Sequence, residues 1–182
     1  MRRIRRWQAG LLSLLMVASG CSLLAGASSE NLARGCPVTA TKQLGDYDVN
    51  RLTDGATPST RPVDQTGITS FDSTGYGYFE ITFDKATILN RVELYFNQAE
   101  PTQRPRDIAV DVRHADGVYE RVAELHGISY TDAGTAVQRL TFRFADSEAV
   151  AFRVTGNRQR TCDINNAPTA NYNFRLMEIE AY

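Results

Sequence analysis

Tryptophan is nearly absent from this sequence of 182 residues, since the single one is Trp7, and histidine occurs only twice. The sequence has no HExxH metalloprotease motif, no GxSxG elbow and no phosphate-binding glycine loop. Its many carboxylates fall mostly on the polar faces of predicted strands or in turns, where acids are normally solvated. These absences favour a protein that is not an enzyme, with a small hydrolase as a remaining alternative.

Residues 1–20 have the layout of a secretory signal, with four Arg in the first six positions and a short apolar run, Leu11–Ala18. The run is shorter than the roughly 20 residues that a membrane-spanning helix needs. It ends in small residues before Cys21, and ASGC resembles the lipobox of bacterial lipoproteins. We therefore expect export, with Cys21 lipidated and the protein anchored to a membrane at the cell surface or in the periplasm. The alternative is an ordinary signal, cut near Ala25 or Ala27, and a secreted protein.

Residues 21–30 are a short tether, and residues 31–182 are long enough for one domain with its own core. Without residues 1–20 the chain keeps 16 basic and 21 acidic residues, a net charge of −5. We expect no nucleic-acid partner, because that balance leaves no basic surface. Besides Cys21 the chain has Cys36 and Cys162, which an exported protein can oxidise. We predict a disulfide between them, with two free buried thiols as the alternative.

Apolar residues alternate with polar ones along most of the domain, which is the pattern of half-buried strands. The Asp116-Gly117 pair between two such runs predicts a hairpin. Long amphipathic helical periods are missing, so the sequence predicts an all-β sandwich or jelly roll. The alternating runs are YFEITFD, RVELYFN, DIAVDVR, RLTFRF and VAFRVTG, and RLMEIEAY closes the chain.

Four segments occur in a characteristic order: NLARGCPVTATKQ, NRLTDGATPSTRP, YFEITFDKATILNRVELYFN and the closing FRLMEIEAY. Together they resemble the coagulation factor 5/8 C-terminal domain family, also called discoidin or galactose-binding-like domains, over residues 31–182. The resemblance implies an eight-stranded jelly-roll β-sandwich. Two features depart from the family pattern: Pro62 stands where the family has a Trp, and the His used by galactose-binding members has no clear counterpart. His114 and His126 are expected to be structural or exposed.

In many bacterial members of that family the Asp-Gly turn and the last strand enclose a structural Ca²⁺. Ca²⁺ takes 6–8 oxygen ligands from carboxylates, carbonyls and water, which suits this oxygen-rich segment. The alternative is a capped loop in which Asp54 binds nearby backbone amides. Carried over by position, the implied ligands are the carbonyls of Arg51, Ala56 and Met177, the carboxylates of Asp54 and Glu178, and an oxygen of Ser59 or Thr60.

Many family members bind sugars, commonly galactose-type residues, through loops at one end of the sandwich. The corresponding loops here are residues 63–77, 97–107 and 157–173. A sugar site needs an aromatic face and planar polar groups. The leading hypothesis is therefore a carbohydrate-binding module for a cell-surface glycan, and the alternative is an adhesion or assembly module that binds a protein. Phe71, Tyr76 and Tyr172 are the candidate aromatic residues, and Asp72, Gln103, Arg104 and Asn173 are the candidate polar ones.

Overall fold

The computed structural model describes residues 30–42, 48–57, 68–70, 76–96, 104–128, 138–157, 161–162 and 174–182. This part of the chain is mostly β-strand with almost no helix, so the predicted all-β class is confirmed. It contains no helix with the length and apolar character to cross a membrane. Cys21 and the predicted signal lie outside it. The elements are β1 (Val38–Ala40), a 3₁₀ helix (Val49–Thr53), β2 (Ile68–Ser70), β3 (Tyr76–Phe96), β4 (Arg104–Pro105), β5 (Ile108–Arg113), β6 (Tyr119–Leu125), β7 (Gln138–Asn157), β8 (Thr161–Cys162), β9 (Phe174–Leu176) and β10 (Glu178–Ala181).

Two long strands, β3 and β7, form the frame of the molecule. They pair antiparallel from Tyr76 opposite Asn157 to Phe96 opposite Gln138. The register slips between residues 82 and 87 and between residues 89 and 91, around an exposed stretch. Such irregularities bend a strand and change which residues point inward. The buried positions accordingly shift from 79, 81 and 83 to 89, 92, 94 and 96. The predicted strands YFEITFD and RVELYFN are therefore two halves of one bent strand.

Each half of this frame belongs to its own layer. In the first layer, the first half of β3 lies between β1 and the second half of β7. The second half of β7 also pairs with β5, and β5 pairs with β6. In the second layer, the second half of β3 lies between β10 and the first half of β7. All the inward side chains join one apolar core. The sandwich class is thus confirmed. Ten strand segments appear among the described residues where eight strands were expected, and the higher number arises because several segments are only two or three residues long.

The Asp116-Gly117 hairpin forms as predicted. Gly117 has a φ of 85°, a conformation that costs an L-residue with a side chain far more than it costs glycine. The Gly117 amide donates to the His114 carbonyl at 2.9 Å, and the Val118 amide donates to the Asp116 carboxylate at 3.0 Å. The turn joins β5 to β6 and lies at the end of the sandwich opposite Tyr76.

The predicted disulfide is wrong. Cys36 is a free, half-buried thiol that donates to the Leu32 carbonyl at 3.4 Å, and burial raises its pKa above the usual value. It precedes Val38, which pairs with Ile81, whereas the backbone of Cys162 pairs with that of Arg104 near the start of β3. The positions of the two cysteines along β3 therefore differ by about six residues, or ~20 Å at roughly 3.3 Å per residue. A disulfide needs its Cα atoms within about 7 Å.

Candidate functional site

The Asp54 turn and the last strand meet, as the resemblance implies. Asp48 caps the 3₁₀ helix that leads into the turn, accepting from the Asn50 amide at 3.0 Å. Gly55 follows with a φ of 82° and donates its amide to Glu178 Oε1 at 2.9 Å. Glu178 is fully buried at the start of β10. Two segments 123 residues apart in sequence therefore share one carboxylate contact.

The turn has the hydrogen bonding of a capped loop and is also rich in oxygen ligands. Asp54 Oδ1 accepts from the Ala56 amide at 2.8 Å, as the capped-loop interpretation requires. Glu178 adds a carboxylate with no exposed surface, and such a charge is costly to bury without a compensating positive group. Hard oxygen donors on two facing segments fit the chemistry of Ca²⁺. These residues therefore fit a calcium ion, and calcium itself stays a prediction.

The implied calcium ligands are only partly described. Arg51 lies in the last turn of the 3₁₀ helix, and Met177 lies just before β10, with its amide donating to the Tyr95 carbonyl at 2.8 Å. Ser59 and Thr60 lie outside the described residues. Among the residues that are described, no group of three or more Asp, Glu, His or Cys side chains could hold a metal. A cation at this turn would therefore depend on backbone carbonyls as well as on the two carboxylates.

The strand ends next to the candidate sugar-binding loops lie together. Tyr76 pairs with Asn157, and β4 pairs with β8 beside them. A Cβ placed on Gly156 would lie only 2.7 Å from Pro105 and 2.8 Å from Phe174. We call this the loop end of the sandwich. Arg104 is described through its backbone in β4. Five of the other predicted ligand residues fall outside the described part of the chain: Phe71, Asp72, Gln103, Tyr172 and Asn173.

Tyr76 is the predicted ligand residue whose side chain the structure describes. Half of its surface is exposed, and its ring lines a groove of about 330 Å³ on the outer face of the first layer. Apolar and amide atoms of Ala109 and Asn157 form part of the lining. Ala109 pairs with both Thr155 and Glu124, so strands β5, β6 and β7 together form the floor. We call this feature the Tyr76 groove.

Charged side chains border the Tyr76 groove on the β6 side. Asp107, Arg121, Glu124 and His126 all belong to the lining. His126 Nε2 lies 3.3 Å from Glu124 Oε1, and its Nδ1 lies 3.8 Å from Asp107 Oδ1. The contact with His126 and a 2.9 Å bond from Arg121 together lower the pKa of Glu124. Asp107 also accepts from the Gly127 amide at 2.9 Å, which holds the chain that leaves β6.

Sequence reasoning missed these border residues. His126 was expected to be structural or exposed, and it is largely exposed, but it also lines the groove. The one signal in the sequence is the alternation of DIAVDVR, which points Asp107 and Ala109 away from the core. Their meeting with Glu124 and His126 depends on the pairing of β5 with β6, which the sequence did not specify.

A second polar network lies on the same outer face, centred on the nearly buried Glu80. Glu80 is 8% exposed and accepts from Arg153 Nε at 3.0 Å and from a terminal Arg153 nitrogen at 2.8 Å. The guanidinium of Arg153 lies between two rings, 4.1 Å from that of Tyr78 and 4.3 Å from that of Tyr119. The Tyr119 hydroxyl donates to Glu80, and burial together with this bond raises the Tyr119 pKa. Because the polar groups of this network bond one another, we interpret it as a structural element of the sheet.

The second layer repeats this arrangement around Glu93, which Arg139 approaches at 3.2 Å. Arg91 lies 3.8 Å from the centre of the Tyr182 ring. Tyr182 donates to Glu180 at 2.9 Å, and burial plus this bond raise the Tyr182 pKa to about 12. Both outer faces are thus held by arginine, tyrosine and a nearly buried glutamate.

Comparison with solved structures places this fold among known carbohydrate-binding modules. Chitosan-binding module 1 of a chitosanase/glucanase from Paenibacillus sp. IK-5 matches with a TM-score of 0.60 and 18% identity, over 84% of this chain and 98% of that chain. The lectin domain of lectinolysin, complexed with Lewis B antigen, matches with a TM-score of 0.58 and 17% identity, over 86% and 98%. A family 32 carbohydrate-binding module of NanJ from C. perfringens, in complex with galactose, gives 0.56 and 12%, over 82% and 95%.

No family model and no curated protein matches the sequence. At identities this low the structural likeness establishes the fold, and it confirms the galactose-binding-like sandwich that the resemblance implied. Function has to be argued from the site, because one such fold can carry many ligands.

Proposed function

We propose that this protein is a non-catalytic carbohydrate-binding module that holds a galactose-type glycan at its loop end. The observation that carries the proposal is the coincidence of three features at that end. The strand ends next to all three candidate loops converge there, a half-exposed Tyr76 ring faces the adjoining groove, and modules of the same fold bind galactose and Lewis B antigen. A ring of this kind stacks on the apolar side of a sugar.

The test is a glycan array probed with the purified protein, followed by titration of the strongest glycan. Tyr76→Ala should weaken that glycan about tenfold, the loss expected for one aromatic stacking contact, and Arg104→Ala should weaken it as well. Val118→Ala is the matched control, because Val118 is 57% exposed at the opposite end of the sandwich. Equal affinity in wild type and Tyr76→Ala would refute this site. A silent array together with a specific protein in pull-downs would favour the adhesion alternative.

We further propose that Ca²⁺ ties the Asp54 turn to β10. The supporting observations are the fully buried Glu178 carboxylate, which accepts from the Gly55 amide, and the Asp54 carboxylate next to Gly55 in the same turn. The residues that would hold the ion are Asp54, Glu178, the carbonyls of Arg51, Ala56 and Met177, and Ser59 or Thr60. Bound there, the ion would supply positive charge and link the two segments, and it would take no part in chemistry on the glycan.

The protein is also proposed to be an exported lipoprotein anchored through Cys21, with secretion after an ordinary signal cut as the alternative. The support is the sequence ASGC after a basic and apolar leader. Mass spectrometry of the mature protein tests this directly. Lipidation predicts a first residue Cys21 with added acyl mass, whereas an unmodified terminus near residue 26 or 28 would refute it. A lipid-anchored module would hold its glycan close to the membrane surface.

A further inference from the structure

The Tyr76 groove lies beside the loop end and is a recess in its own right. Its volume of about 330 Å³ lies at the lower end of the range for ligand pockets, roughly 300–1,000 Å³. Its floor is the paired strands β5, β6 and β7, so its shape is fixed by backbone hydrogen bonds. From its lining we infer that this groove binds a positively charged amino sugar unit of the glycan. The inference rests on the proposed function, because it names the class of sugar that the module accepts.

The aromatic wall comes from Tyr76. The residue is 50% exposed and lines the groove. Asn157, opposite Tyr76 in the β3–β7 pair, offers an amide that can both donate to and accept from sugar hydroxyls. A ring face next to a planar amide is the combination that a hexose needs. The groove therefore has the parts of a sugar subsite before charge is considered.

The charge of the lining selects among sugars. Asp107 and Glu124 contribute two carboxylates, and Arg121 contributes the one fixed positive charge among the described lining residues. Arg121 is shared, because its Nε bonds Asp111 outside the groove while another nitrogen bonds Glu124 at 2.9 Å. His126 contacts both groove carboxylates. Asp107, Glu124 and Asp111 together outnumber Arg121 and His126 even when His126 is protonated, so the groove carries an excess of negative charge. An ammonium group is attracted to such a site, and an acidic sugar is repelled from it.

Glu124 is the residue through which this charge can be tested. Its side chain is 45% exposed on β6, so removing its charge should leave the fold intact. Glu120 is the matched control, since it lies four residues earlier on the same strand, is 62% exposed, and contacts His114 at the opposite end. The probes are a tetramer of glucosamine and its fully N-acetylated counterpart, which share a backbone and differ in charge. The galactose-containing glycan from the array is the third probe.

Titration of the full chain at neutral pH should show about fivefold tighter binding of the glucosamine tetramer than of the acetylated one, the size expected for a partly exposed charge pair. Glu124→Gln should remove most of this preference by weakening the glucosamine tetramer more than the acetylated one, and Glu120→Gln should leave the preference as it is in wild type. Added salt should weaken the glucosamine tetramer in wild type more than in Glu124→Gln. Amide shifts in nuclear magnetic resonance spectra should locate the charged probe at Ala109 and Thr155.

The outcomes separate the two proposals. Equal binding of the charged and acetylated tetramers, or a preference that survives Glu124→Gln, overturns the amino-sugar assignment. If the galactose-containing glycan still binds in that case, the proposed function stands without it. Failure of all three probes overturns both. If the charged tetramer binds but the amide chemical shifts change only at the opposite end of the sandwich, the groove is not its binding site and the assignment is overturned.

Discussion

Replacing Glu178 by Gln should separate two roles of a single buried carboxylate. A Gln side chain keeps the shape of Glu and an oxygen that can accept from the Gly55 amide, a bond of 2.9 Å in the wild type. It loses the negative charge that a cation would need. If the carboxylate served only as a hydrogen-bond acceptor, Gln would cost about 1 kcal/mol of the free energy of unfolding. If it also holds Ca²⁺, Gln should abolish the stabilisation that calcium gives.

The size of that stabilisation follows from mass action. Calcium sites in extracellular modules have dissociation constants of about 0.1–1 mM. With calcium at roughly 10–100 times the dissociation constant, the folded state gains about 1.4–2.7 kcal/mol. For a domain of about 150 residues, that gain raises the melting temperature by roughly 3–10 °C.

Differential scanning calorimetry with calcium or with a chelator measures the shift directly, and the lack of tryptophan after Trp7 does not affect that method. Glu180→Gln is the control, because Glu180 lies on the same strand and binds the Tyr95 and Tyr182 hydroxyls instead of the turn. Wild type and Glu180→Gln should respond to calcium, and Glu178→Gln should not. A wild-type melting temperature that is the same in calcium and in chelator would refute the ion. An equal rise in Glu178→Gln would move the ion to another site.

Three further outcomes are expected. Glu80→Ala should lower the free energy of unfolding by about 1.5–3 kcal/mol in chemical denaturation, since it removes the nearly buried carboxylate that Arg153 and the Tyr119 hydroxyl bond, whereas Glu120→Ala should have little effect. Gly156→Ala should cost about 1–3 kcal/mol by the same measurement, because the new methyl would meet Phe174 at 2.8 Å. The pKa of His114 is raised, first by its bond to Glu120, so proton titration followed by nuclear magnetic resonance should give a lower value in Glu120→Gln. The stabilisation from protonated His114 should be complete below the unfolded pKa and vanish as pH rises through the folded value.

The strands were predictable because the physics behind them is local. Side chains alternate across a strand, so the runs around Phe79 and Val92 had to place one face in the core wherever they paired. Their union into one bent strand was not predictable in the same way. The exposed segment between them, with Asp84 and Lys85, reads as a turn, and the strand continues through it because Thr82 and Thr87 on either side both pair with β7.

Contacts that depend on register were harder to predict. Asp107, Glu124 and His126 meet because Ala109 pairs with Glu124, and a slip of one residue would turn every side chain of β6 to the other face. The prediction of a Cys36–Cys162 disulfide was wrong for a related reason, because an even number of thiols says nothing about the distance between them in the fold. The meeting of Asp54 with Glu178 was anticipated from the order of four segments in a resemblance, and no local rule would have supplied it.

We therefore expect stability and recognition to depend on different polar groups on one face of the sheet. Glu80 is engaged by Arg153 and Tyr119 and is almost fully covered, so its charge is committed to holding strands together. Glu124 is nearly half exposed at the rim of a groove, so its charge remains accessible to a ligand. Substitution of Glu80 should consequently lower stability without changing the preference between charged and neutral glycans, and substitution of Glu124 should do the reverse. A glycan preference that followed the Glu80 substitution would mean that recognition and folding share one network, and the division between frame and groove would have to be abandoned.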